Sequence, residues 1–216
     1  MGKNIKILIW NIGRLCIPFF PFLDKFFRVS RHSIEKVRTA LNDIDADVVM
    51  LQEVAGKEHL TELTKNTDYH AILGPSYYDR DYEENTALLS YQKPDDIRHF
   101  PENNAVFVSI PELDINAVNV HLQCLNKKRR AKQIEDLISC LPSEKSILAG
   151  DFNDDIKKYN LGNFRPCTSE LGSTTLYGRH IDDILHTPDV KVESSQIVVR
   201  RFGFMDHYPV VANICL

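Results

Sequence analysis

The sequence has no Cys-x-x-Cys pair, no apolar run approaching the ~20 residues that a membrane-spanning helix needs, and no large excess of either charge. Each absence excludes something. Cys16, Cys124, Cys140, Cys167 and Cys215 are an odd number at scattered positions, which argues against a disulfide framework and against a cysteine-based zinc site. A formal charge of −4 does not suit a protein that coats nucleic acid by charge alone, although a local basic groove remains open. There is no internal repeat and no low-complexity tract. The chain enters Asn4-Ile-Lys-Ile-Leu-Ile-Trp10 without the small-residue cleavage pattern of a secretory signal, so cytoplasmic residence is expected.

What is present is an ordinary globular composition: 216 residues, 43% hydrophobic and 26% charged, which suits one domain over 1–216 with a sizeable core. Its organising stretch is Ser146-Ile-Leu-Ala-Gly150-Asp151-Phe-Asn153-Asp154-Asp155. The apolar run reads as a buried strand, Gly150 permits close backbone approach, and the acids sit at the strand's end. A plain Asx-turn is the competing reading. The same switch from apolar to polar recurs where Ile5–Trp10 ends at Asn11 and where Asp47-Val-Val-Met-Leu-Gln52 ends at Glu53. Ile115–Val120 places Asn119 and His121 on one face, because side chains alternate along a strand. His180–Leu185 puts Asp182 and Asp183 on opposite faces, so at least one should be buried with a partner. A last strand, Tyr208–Cys215, follows Asp206-His207.

Further strands are expected at 69–73, 85–90, 105–110 and 192–201. Ile34, Val37, Leu41 and Ile44 fall at helical spacing behind Ser30 or Ser33 as N-cap. A short helix is expected at 57–66 and a third over Asn126–Leu141, where Ile134, Leu137, Ile138 and Leu141 line one face. About ten strands and two or three helices imply α/β layers around packed sheets. Residues 156–178 read as a long irregular loop. Residues 15–27, with two prolines and five phenylalanines, cannot be a simple helix or central strand. They form a loop folded over the core, a greasy wall of a pocket, or a peripheral membrane contact. The three tyrosines within 74–84 are either solvated or a surface on which bases stack. Lys127-Lys-Arg-Arg130 is a solvated first turn of helix or a nucleic-acid contact.

The polar strand ends, Asn11, Glu53, His121, Asp151, Asn153, Asp182, Asp206 and His207, comprise four carboxylates, two amides and two imidazoles. Carboxylate and amide oxygens are hard ligands that suit Mg²⁺ or Mn²⁺. A divalent ion with imidazoles around it suits phosphoester hydrolysis: the metal neutralises phosphate charge, a carboxylate handles the water, and donors stabilise the charge that develops.

At these residues the sequence resembles the endonuclease/exonuclease/phosphatase superfamily, with the deoxyribonuclease-I-like fold. The motifs are Ile9-Trp10-Asn11, Leu51-Gln52-Glu53-Val54, Asn119-Val-His121-Leu122, Gly150-Asp151-Phe152-Asn153, Ile181-Asp182-Asp183-Ile184 and Asp206-His207-Tyr208-Pro209-Val210, in the family's order over nearly the whole chain. Asn85–Ser90 and Arg130-x-x-Gln133 match supporting positions. The resemblance implies a four-layer α/β sandwich, two packed mixed β-sheets flanked by helices. It implies Glu53 as the main metal ligand with Asn11 and Asp206 completing the metal and phosphate site. Asp151 would position or deprotonate the water, Asn153 would hold it or a phosphate oxygen, and Asp182 would hold His207 against the scissile phosphate. His121 would stabilise the transition state or assist the leaving group. Whether Asp151 or His207 is the base stays open. Met205 stands where the family often has Ser, and Asp183 where it often has an aromatic; neither removes a chemical group.

The expectation is a Mg²⁺-dependent phosphoester hydrolase, an endo- or exonuclease acting on nucleic acid as a monomer. A lipid-headgroup phosphodiesterase or phosphatase is the alternative. A catalytically inactive binding module is the third reading, and the intact set of acids and imidazoles argues against it.

Overall fold

Alternation along the first strand sets up the layers. In β1 (Asn4–Asn11), Ile5, Ile7 and Ile9 enter one apolar cluster while Leu8 and Trp10 enter another, so both faces of the strand are covered. The structure, a computed structural model, describes residues 2–13, 31–76, 84–199 and 205–216. The Phe-rich segment 15–27, the proposed cap Ser30 and the tyrosines of 77–83 lie outside these residues.

The remaining elements are α1 (Arg31–Ile44), β2 (Val48–Val54), α2 (Gly56–Leu63), β3 (His70–Ser76), β4 (Asn85–Ser90), β5 (Asp95–Phe100), β6 (Ala105–Ile110), β7 (Ile115–His121), α3 (Lys127–Cys140), β8 (Ser146–Asp151), β9 (Arg165–Pro166), β10 (Asp182–His186), β11 (Lys191–Ile197) and β12 (Val210–Cys215). They form two six-stranded sheets, ordered β11-β12-β1-β2-β4-β3 and β5-β6-β7-β8-β10-β9. Both sheets are mixed. Each has one parallel pair near its centre, β1/β2 and β7/β8, and antiparallel neighbours elsewhere.

Three apolar layers hold the four structural layers together. Ile7, Ile9, Met50 and Leu88 of the first sheet meet Val106, Val108, Ala117, Ile147 and Ile184 of the second. Val37 and Leu41 of α1 and Leu60 and Leu63 of α2 cover the outer face of the first sheet, against Trp10, Val49 and Leu51. Ile134 and Leu137 of α3 cover the second, against Phe107, Val118, Leu148 and Leu185. This is the four-layer sandwich that the motifs imply. Among the described residues no helix is long and apolar enough to cross a membrane.

Two strands are absent from the sequence reading. β5 has a mostly exposed pattern, and β9 is two residues long and includes a proline; both lie at sheet edges, where no alternating apolar face is required. The strand expected over 192–201 stops at Ile197, and Val198 N–H turns to the Pro209 carbonyl instead.

Close beneath the carboxyl ends of the parallel pairs, a polar clamp joins the sheets. The buried Asn119 amide of β7 donates to the carbonyls of Leu51 (2.8 Å) and Ala87 (2.7 Å) in the first sheet and accepts from Gln52 Nε2 at 2.6 Å. Gly150 lies alongside at φ +137°, and a Cβ there would come within 2.2 Å of the Val120 carbonyl and 3.0 Å of Gln52 Nε2. Gly150→Ala therefore combines backbone strain with a backbone clash, and it should cost about 3 kcal/mol or more. Thermal or urea unfolding checks this; a loss below ~1 kcal/mol would contradict the close approach.

Candidate active site

The fold brings the polar strand ends to one place. β1 and β2 run parallel with Asn11 opposite Gln52, and in the second sheet His121, Asp151 and Asp182 are successive cross-strand partners. The two rows meet through Asn11. Its amide nitrogen donates to Glu53 Oε1 at 3.1 Å and to Asp151 Oδ2 at 2.9 Å, while its Oδ1 accepts from Gly13 N–H at 2.9 Å.

Glu53 reaches this point by a break in the ladder. Pairing of β2 with β4 slips between Leu51 and Val54, and Glu53 adopts φ 60°, the left-handed region that a non-glycine residue enters only at a cost. The extra residue re-aims the carboxylate out of the sheet and toward Asn11. Asp151 is set by its own turn: Oδ1 accepts Asn153 N–H at 2.7 Å, with Asn153 at φ 57° and its Nδ2 on the Leu122 carbonyl at 2.8 Å. The Asx-turn reading and the functional one thus describe the same residue, one through each carboxylate oxygen.

The second oxygen, Oδ2, faces both imidazoles. His121 Nε2 lies 3.7 Å away and His207 Nε2 3.9 Å, and His121 Nε2 is also 4.0 Å from Glu53 Oε1. These separations exceed a direct hydrogen bond. On its other nitrogen, His207 Nδ1 is held by both oxygens of Asp182, at 3.0 and 2.9 Å. Both partners are buried. Burial disfavours the imidazolium, yet the Asp182 carboxylate, with Asp151 and Asp206 nearby, overrides it and raises the His207 pKa to about 10. Asp206 is partly exposed and stands beside the Asn11–Gly13 turn, with its Oδ1 3.4 Å from where a Gly13 Cβ would sit.

All eight residues singled out in the sequence therefore lie together at one end of the two sheets. The sequence reading missed those that hold them. Trp10 Nε1 donates to the His207 carbonyl at 3.2 Å, Thr174 Oγ1 accepts the Ile181 and Asp182 amides, and Arg179 Nη2 reaches the Asn153 carbonyl at 3.1 Å. Trp10 stood in a recognised motif; Thr174 and Arg179 lie in an aperiodic loop that carries no such signal. Of the basic run 127–130, Arg130 turns inward: it is buried, bonding Asp154 at 2.8 Å, the Tyr159 hydroxyl at 2.8 Å and the Gln123 carbonyl at 2.6 Å. Met205 is buried in the layer under Trp10. Among the described residues, Asp151, Asp182 and His207 form a buried group whose ligand atoms lie within 4.8 Å of one another and could hold a metal ion.

Comparison with known proteins identifies the family and the fold. Residues 8–201 match the Endonuclease/Exonuclease/phosphatase family. The chain belongs to that family. No curated protein matches its sequence. Among solved structures, it is similar to an endonuclease/exonuclease/phosphatase from Bacteroides vulgatus, at 17% identity and TM-score 0.77, covering 98% of each chain. It is similar to the human Nocturnin catalytic domain with a bound sulfate anion, at 17% identity and TM-score 0.73, covering 99% of this chain and 96% of that one. It is also similar to D. rerio TDP2 complexed with a single-strand DNA product, at 16% identity and TM-score 0.71, covering 98% and 99%. At these identities the structural likenesses show a shared endonuclease/exonuclease/phosphatase fold.

The Asp182–His207 pair has a pH signature. With its folded pKa raised, His207 contributes stability that is fully present below the ordinary imidazole value of ~6.5 and is lost as pH rises toward about 10. Asp182→Asn should drop the His207 pKa toward the ordinary value in an NMR titration. The gap in melting temperature between wild type and variant should be widest below pH ~6.5 and close toward pH 10; a constant gap would contradict the ion pair.

Proposed function

We propose that this family member is a divalent-metal-dependent phosphodiesterase that acts on nucleic acid. The observation that carries the reading is the position of Asp151 Oδ2, held by the Asn11 amide and flanked by two imidazole Nε2 atoms at 3.7 and 3.9 Å. A water beside either pair can accept from the ring nitrogen and donate to the carboxylate, and a phosphate oxygen there can accept from the ring. TDP2, bound to a single-strand DNA product, supports a nucleic-acid substrate by likeness of fold.

The donor set fits Mg²⁺, or Mn²⁺ in its place: Glu53 and Asp206 offer hard oxygen ligands beside the Asn11–Gly13 turn. Asn11, whose amide nitrogen faces Glu53, holds the acid in place in this arrangement. An ion among Asp151, Asp182 and His207 would instead compete with the Asp182 bond to the His207 ring, so the Glu53 side is the better site. When bound, the ion would neutralise charge on the phosphate oxygens.

The chain's own residues supply the rest. His207, kept charged by Asp182, donates from Nε2 to a phosphate oxygen and is a poor proton acceptor at neutral pH. That leaves Asp151 to orient the attacking water and take its proton. Asn153 fixes Asp151 through its backbone N–H. His121, facing Glu53 and Asp151, stabilises the transition state or assists the leaving group.

The deciding experiment is turnover by wild type and Asp151→Asn with and without Mg²⁺, on single-stranded DNA, duplex DNA, RNA, sphingomyelin and inositol phosphates. Nucleic-acid cleavage that EDTA abolishes and Asp151→Asn lowers by roughly 10²–10⁴-fold is expected. Cleavage confined to a lipid or an inositol phosphate would overturn the nucleic-acid assignment, and silence on every substrate would overturn the enzyme.

A further inference from the structure

A second carboxylate–imidazole pair lies on the opposite face of β10 from the first. Asp182 and Asp183 are adjacent, and both are 1% exposed. Strand alternation turns Asp182 toward His207 and Asp183 away from it. Asp183 Oδ1 accepts from Thr168 Oγ1 at 2.5 Å, Thr168 N–H at 3.2 Å and Ile184 N–H at 2.7 Å, while Oδ2 faces His180 Nε2 at 3.4 Å. The other ring nitrogen, His180 Nδ1, bonds the Gly172 carbonyl. A carbonyl oxygen only accepts, and an ionised carboxylate only accepts, so the ring that satisfies both carries two protons. Burial works against that charge, but Asp183 and the Gly172 carbonyl outweigh it, and the His180 pKa stands above the ordinary imidazole value. Burying the Asp183 charge is tolerable for the same reason: it has a cation and three donors.

What the pair holds is the loop over residues 168–179. Thr168 and Gly172 are its two attachment points on Asp183 and His180. Beyond them the loop does three things for the proposed site. Thr174 Oγ1 accepts the Ile181 and Asp182 amides at 3.1 and 3.2 Å, fixing the start of β10. The Thr174 carbonyl accepts Tyr208 N–H at 2.8 Å, and Leu176 N–H donates to the Asp206 carbonyl at 2.8 Å. Thr175 forms a β-bridge with His207 itself. The same short loop thus touches Asp182 on one strand and Asp206, His207 and Tyr208 on the other segment.

We propose that His180 and Asp183 are positioning residues for the phosphoester chemistry, latching loop 168–179 so that Asp182 and His207 are held in register. The inference rests on the function proposed for the cleft. His180 and Asp183 act through the loop and touch no substrate, so their effect falls on the rate of the chemical step rather than on binding. The role also gives a physical reason for an acid at 183: an aromatic there could not bind both Thr168 and His180.

The test uses His180→Ala, Asp183→Asn and the milder His180→Gln, which can keep a donor toward Asp183 while losing the bond to Gly172. Kinetics on bis(p-nitrophenyl) phosphate are read with Asp182 intact and in the Asp182→Asn background, and the His207 Nδ1 proton resonance is followed by NMR in every folded variant. Expected is a 10- to 100-fold fall in kcat with KM within about twofold, since small misplacement of a catalytic group costs rates of this order. His180→Gln should fall between wild type and His180→Ala. In the Asp182→Asn background the further loss should be under about threefold, because the two changes act through one pair. Losses that multiply in full, or wild-type kcat with an unchanged His207 resonance, would overturn the latch. If wild type turns over no phosphoester, the proposed function fails, and the His207 resonance still decides: broadened or lost in His180→Ala for the latch, unchanged against it.

Discussion

Four carboxylates, Glu53, Asp151, Asp182 and Asp206, are drawn to one end of a sandwich packed mainly with apolar side chains, and the structure depends on how their repulsion is met. The Asn11 amide is the first answer. From the end of β1 it reaches across the sheet boundary and gives one N–H to Glu53 and one to Asp151, each sheet contributing one acid. A neutral donor pair there bridges the two acids and supplies each with a hydrogen bond. The second answer is His207, whose charge is shared between Asp182 behind it and Asp151 in front. The phosphate and metal chemistry proposed for the cleft uses the same charges that would otherwise drive the strand ends apart.

Much of this was legible in the sequence because the central strands are buried on both faces and end abruptly. β1, β2 and β8 read as apolar runs whose polar ends marked the site edge, while in β7 alternation placed Asn119 and His121 on one face. The layered fold followed from the same runs. The edge strands β5 and β9 were illegible because they carry no buried face and so no periodicity. The left-handed backbone at Glu53 left no trace either, since the residue is not glycine and the geometry is imposed by the bulge.

The pair Asp182-Asp183 marks the limit of pattern reading. Alternation foretold opposite faces and at least one buried acid with a partner; in the structure both are buried and both are paired. The partners were out of reach. His207 was singled out because it stands in a motif. His180, Thr168 and Thr174 sit on an aperiodic loop, and their contacts exist only once that loop has folded back on β10. Side-chain roles that depend on a loop's path are written in its three-dimensional closure, which residue spacing does not encode.

The clamp of Asn119, Gln52 and Gly150 has a consequence for how this molecule can accommodate a substrate. A side-chain amide bonded to two carbonyls of the facing sheet, beside a glycine with no space for a methyl group, leaves the sheets no freedom to slide or part beneath the cleft. The floor is pinned across the sheet boundary. Any widening, closing or choosing among ligands falls to the segments at its rim, so chains that share this floor can diverge in what they accept while their strand ends stay superimposed.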